Sequence, residues 1–143
     1  MRHVQRMATT ASDRTTHLEL LQHVISRMAS NSFALKGWSV TVTAALLGLA
    51  AKDSNPRFAI IALYPALAFW GLDAYYLRQE RRFRALYDAV RTNTSVEPFA
   101  MDPDGFDSKV ETWGCTLTAG VVAGLHIPIL AAIVGVLLYT FLT

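Results

Sequence analysis

His126 and Pro128 lie inside Thr112–Thr143, a stretch of 32 residues with no Asp, Glu, Lys or Arg. An ionisable group in the middle of an apolar helix faces a bundle interior or a water-filled cavity, and it carries function by default. The structural alternative is a neutral imidazole bonded to a neighbouring helix, or to the backbone carbonyl that Pro128 frees. Two shorter apolar stretches are bracketed by Lys36 and Asp73, and the first of them carries Ser39, Thr41 and Thr43. Such a Ser/Thr face lines a wet pathway, or each hydroxyl bonds its own helix backbone. His126, Thr43 and Ser39 are thus candidates for a conducting path, with Pro65 and Pro128 as kink sites.

Enzyme chemistry is not expected. The chain has no P-loop, G-x-G-x-x-G, G-x-S-x-G or H-E-x-x-H pattern. His17 and His23 are six apart, a poor helical spacing for sharing a metal. The single cysteine, Cys115, excludes an intramolecular disulfide and a Cys-based metal cage. Its neighbours are apolar residues or threonine, so it reads as a buried, inert thiol. Asp102, Asp104 and Asp107 resemble a calcium loop only superficially, because the glycine is at the wrong offset and no downstream Glu follows at the required spacing. No cofactor is expected.

The elements that must position these residues follow from composition. Of 143 residues, 52% are apolar and 17% charged, against about 25% charged in an average chain. This argues against a disulfide scaffold, a disordered chain and an ordinary cytosolic enzyme. A net charge of +2 is too small to imply specific nucleic-acid binding. What remains is an all-α integral membrane protein with three transmembrane helices. Thr112–Thr143 is long enough to span alone. Gly37–Ala51 and Phe58–Leu72 have 15 residues each, below the usual ~18–20, and extend across Lys36 and Asp73.

Asn55-Pro56 marks a turn, with Pro56 suited to start a helix. A fold-back centred between Ser54 and Asn55 sets Lys36 opposite Asp73. A pair at that depth is tolerable where a lone charge is not; the alternative is that both side chains reach separately to the headgroups. Segments 1–36 and 73–112 hold eleven of the thirteen basic residues. The positive-inside rule therefore puts the N-terminus in the cytoplasm and the C-terminus outside. No apolar run follows the first arginines, so no signal peptide is expected.

Leu18, Leu21, Ile25, Met28 and Leu35 form a helical seam, with Ser32 in the remaining place. Thr16–Glu19 matches a capping box and predicts a helix start there. Tyr76, Phe83, Tyr87 and Val90 make a sparser stripe, flanked by a basic face of Arg78, Arg81, Arg82 and Arg84. The predicted layout is a flexible segment 1–15 and a long antiparallel hairpin 16–91, with spans at 33–51 and 58–77 and a stalk in the cytoplasm. An acidic linker, 92–108, lies as a surface loop on the arginine-bearing helix or serves as a ligand- or partner-responsive element. A third span follows over 109–143. Gly120-x-x-x-Gly124 and Ala44-x-x-x-Gly48 are patterns that permit close helix contact. Three spans are too few to enclose a pore, so conduction requires a homo-oligomer.

The layout of Thr16–Arg91 and the run LKGWSVTVTAALLGLAAKD…FWGLDAYYLRQERRFRALYDAVR resemble the SLATT-type small membrane proteins of bacterial conflict systems. The third span departs from a strict two-span plan. The resemblance implies a pore or channel-like effector of anti-phage defence that depolarises the membrane. Its trigger would be a nucleotide messenger or a partner protein acting on the cytoplasmic stalk. The alternative is a non-conducting membrane anchor that recruits a larger complex.

Overall fold

The structure, a computed structural model, describes residues 2–53, 55–92 and 96–142, with backbone only for residues 2–10. The expected turn centre Ser54 and linker residues 93–95 lie outside it. The chain is all-helical, 88% helix, with no strand among the described residues. Three helices are long and apolar enough to cross a membrane, which points to a membrane-embedded protein.

Helix α1 runs over Arg2–Asp53, 52 residues, or about 78 Å at 1.5 Å per residue. The helix start expected at Thr16 is not observed. The Thr16 hydroxyl donates to the Ser12 carbonyl at 3.1 Å within a continuing helix. Residues 2–15 contain neither proline nor glycine, and extending an existing helix is far easier than nucleating one. Residues 2–15 are the first part of α1.

Helix α2 spans Pro56–Arg91. Asn55 caps it, its side chain accepting from the Arg57 amide at 3.0 Å, and Pro56 occupies the first turn. At its other end Thr92 closes the helix by bonding back to Asp88. Pro65 lies inside α2 without ending it.

The third apolar stretch is not one helix. A 3₁₀ turn covers Asp104–Lys109, a short helix α3 covers Trp113–Leu117, and α4 covers Gly120–Leu142. Thr112 caps α3 by accepting from the Cys115 amide, and Cys115, expected to be buried, is exposed on this short helix. The Ala119 carbonyl then accepts from both Val122 and Ala123 to open α4. Its 23 residues make about 35 Å, close to a hydrocarbon core of about 30 Å. Pro128 lies inside α4.

α1 and α2 pack antiparallel. Leu21, near the start of α1, clusters with Leu86 and Val90 near the end of α2, and Leu18, Phe83, Tyr87, Val96 and Phe106 close over them. Near the turn, Ala62 and Ala66 of α2 cluster with Ile133 of α4, bordered by Leu46, Leu47, Leu63, Ile129, Leu130 and Leu137. The small alanines let three helices meet there. Many large apolar side chains point outward, among them Tyr64, Val121, Phe141 and Leu142, each at least 68% exposed. Between the two apolar clusters, the seam is polar.

Candidate functional site

The polar centre is built on Asp73, whose side chain is fully buried. A buried carboxylate is costly unless charges and hydrogen bonds compensate it. Two donors come from α1, which places Ser32 and Lys36 one turn apart on the face turned to α2. Lys36 Nζ lies 2.6 Å from Asp73 Oδ1, and the Ser32 hydroxyl donates to the same oxygen at 2.5 Å. Lys36 also donates to Ser32 at 3.0 Å. α4 supplies the third donor: His126 Nε2 stands 3.3 Å from Asp73 Oδ2. One carboxylate therefore joins all three long helices.

With Asp73 as acceptor, the His126 proton belongs on Nε2. Its Nδ1 is then a buried acceptor with no hydrogen-bond partner in the protein. The imidazole is not bonded to the carbonyl freed by Pro128; it bonds the neighbouring helix α2. Trp70 stacks on it, with centroids 6.1 Å apart and planes 11° from parallel. The Trp70 indole donates to the Leu117 carbonyl at 3.0 Å, so one side chain braces both the histidine and the end of α3.

Two further members of the α1 face continue past Lys36. Ser39 and Thr43 are buried, and neither hydroxyl has a partner, including its own helix backbone. Thr41, on the outer side, does bond its backbone, to Gly37 at 2.9 Å. Ser39, Thr43 and His126 all turn inward among the helices of one chain.

The expected packing patterns turn the other way. Ala44, Gly48, Gly120 and Gly124 are exposed, and a Cβ added at any of these three glycines would meet nothing within 4 Å. They make no close helix contact within this chain. Gly71 does approach a neighbour, with Trp113 at 3.6 Å from its notional Cβ.

A second polar assembly lies on the other side of the seam, where the linker and the residues leading to α3 cover the arginines of α2. Arg78 pairs with Asp107 at 2.8 Å and Arg81 with Glu111 at 2.6 Å. Arg82, the buried one, takes Asp104 at 2.5 Å and Asp107 at 3.0 Å. Arg84 instead pairs within α2, with Glu80 at 2.6 Å. Glu80 occupies the gap in the apolar stripe. A cavity of about 390 Å³ opens beside Arg82, lined by Tyr75, Tyr76, Phe83, Met28, Gln79, Pro103 and Asp104.

His17 fastens the same linker to α1. Its Nε2 donates to the Ala100 carbonyl at 2.8 Å, and its Nδ1 accepts from the Phe99 amide at 3.3 Å. Phe99 packs against the ring at a tilt of 33° and adopts a left-handed φ of 61°, a conformation held by its surroundings. Sequence reasoning missed this role, and missed Ser32 and Trp70 as site residues. The only signal for Ser32 was its polar type at an apolar seam position. No group of three or more His, Cys, Asp or Glu suited to a metal occurs among the described residues.

The Asp73 cluster can hold three helices in register and can bind and release protons. Compared with protein-family models, curated proteins and solved structures, the chain matches none.

Proposed function

We propose that this chain is a homo-oligomeric, channel-like effector of the bacterial inner membrane, held closed by a latch of Lys36, Asp73 and His126. It acts in anti-phage defence by depolarising the cell. The observation that carries this reading is the single buried carboxylate that collects donors from α1, α2 and α4. A latch of this kind is bistable: with all donors in place it is neutralised and tight, and with one withdrawn it leaves a buried charge uncompensated. Both termini of the hairpin's stalk lie in the cytoplasm and the C-terminus of α4 lies outside.

Ser39, Thr43 and His126 face the interior of one protomer in the closed state and become a pathway wall when the helices part. The outward-facing Ala44, Gly48, Gly120 and Gly124 suit contact between copies, where small residues let helices approach. The trigger reaches the stalk. A nucleotide messenger or a partner protein that enters the cavity beside Arg82 competes with Asp104 and frees the linker. Arg82 lies nine residues beyond Asp73 on the same helix, or about 14 Å along its axis, so a shift of α2 is felt at the latch.

The test is the membrane potential of cells carrying a voltage-sensitive dye. Lys36→Met weakens the latch and is expected to depolarise cells without any trigger, while the parent chain leaves them polarised. If both leave the potential unchanged at equal membrane abundance, and a partner protein co-purifies stoichiometrically, the chain is a non-conducting anchor.

A further inference from the structure

We propose that the ion moved is the proton, and that it passes through the interior of each protomer along Thr43, Ser39, His126 and Asp73, behind an apolar plug centred on Ile133. The proposal rests on the channel-like reading above and deepens it. Proton transfer needs a chain of hydrogen-bonding groups, not a lumen, and Asp/His chains inside membrane bundles are the usual carriers. Three spans too few to enclose a pore are enough for such a chain.

The groups are in place. Asp73 Oδ2 faces His126 Nε2 at 3.3 Å. His126 Nδ1, Ser39 Oγ and Thr43 Oγ1 are all buried, and none has a partner in the protein. Buried polar atoms without partners are rare, and each calls for a reason such as a proton-handling role or water. Here three occur in one bundle interior, next to the cluster built on the fully buried Asp73. At its inner end the path meets Lys36, whose side chain is 20% exposed against 0% for Asp73, so the cluster reaches the protein surface on that side.

At its outer end the path is shut. One turn beyond Thr43, Leu46 and Leu47 meet Ala62, Ala66 and Ile133, and Ile133 is fully buried. An apolar constriction of this kind blocks passage by excluding water. When it parts, a proton arriving at His126 Nδ1 makes an imidazolium. The ring then passes its Nε2 proton to Asp73 Oδ2, and the neutral carboxyl releases that proton to water beside Lys36. The ring, left with its proton on Nδ1, then turns so that this proton faces Asp73 and the bare nitrogen faces the path, and the cycle restarts. The groups facing His126 throughout are Asp73 and Trp70 from α2, with Lys36 and Ser32 of α1 behind the carboxylate.

The experiment uses the full chain in liposomes loaded with a pH-sensitive dye, with a potassium diffusion potential imposed through valinomycin. Ile133→Asn wets the plug and is expected to raise proton uptake about tenfold or more over the parent chain. Adding His126→Gln or the isosteric Thr43→Val should return uptake to the parent level. Helicity and gel-filtration profile are checked for each variant, and Ile133→Ser replaces any Ile133→Asn protein that fails to fold. No added uptake in a folded plug variant overturns the proposal, as does uptake indifferent to His126→Gln. Potassium or chloride leak through Lys36→Met without proton selectivity also overturns it, yet leaves the channel-like reading standing. Silence of every variant toward every ion removes both.

Discussion

Asp73 has donors on both sides, so removing it costs more than removing any one of them. Asp73→Ala strands a lysine and a histidine, whereas Lys36→Ala leaves the carboxylate with Ser32 and His126. Breaking a buried pair typically costs about 3–5 kcal/mol, and the larger loss is expected for Asp73→Ala. The double variant should lose less than the sum of the two. Coupling energies inside membranes average about 0.6 kcal/mol and reach about 1.7; full burial of Asp73 places this pair at the upper end. Unfolding of the four proteins in detergent, followed by circular dichroism, measures the coupling, and strict additivity would refute the pairing. A second residue-scale prediction concerns His17. His17→Ala leaves the Phe99 amide and the Ala100 carbonyl without their bonds, at about 1–3 kcal/mol. Hydrogen exchange of Phe99 should rise by the corresponding factor while exchange in α4 stays unchanged.

Residues of this scale were legible where a charge stood out. Lys36 and Asp73 broke two apolar stretches, and the turn at Asn55-Pro56 set them opposite each other; they are partners in the structure. His126 stood alone in its stretch, but its partner could not be named from spacing because no turn relates α4 to α2. His17 and Trp70 bond to backbone carbonyls far along the chain, and a carbonyl leaves no mark in a sequence.

At the scale of elements, the linker is held to α2 by contacts of unequal strength. Arg78–Asp107 and Arg81–Glu111 are partly exposed and contribute little, about 0–1 kcal/mol each. Arg82 is 7% exposed and joins two carboxylates. Arg82→Gln should therefore speed tryptic cleavage at Lys109 well beyond Arg78→Gln, and high salt should narrow the difference. Equal cleavage of the two variants would mean that His17, with the packing of Val96 and Phe106, alone holds the linker. The antiparallel packing of α1 and α2 was legible from a turn and two matching stripes. The break at Thr118 and Ala119 was not, because a charge-free run reports hydropathy and says nothing of helix continuity. Its cause is local: Thr118 turns its hydroxyl back to the Cys115 carbonyl, and α4 restarts from the Ala119 carbonyl. The start at Thr16 failed for the opposite reason, a cap pattern inside a segment with nothing to stop the helix.

For the whole molecule, two apolar clusters flank one polar centre, and the exposed small residues lie on the outside. On the channel-like reading proposed above, this layout would make conduction a matter of parting helices, not of an existing hole. Purified protein in liposomes with a voltage-sensitive dye tests this most directly, under a potassium diffusion potential and at matched protein density. The parent chain should hold the potential, and Lys36→Met should collapse it. A folded, inserted Lys36→Met protein that holds the potential as well as the parent would contradict the latch and the channel-like function together.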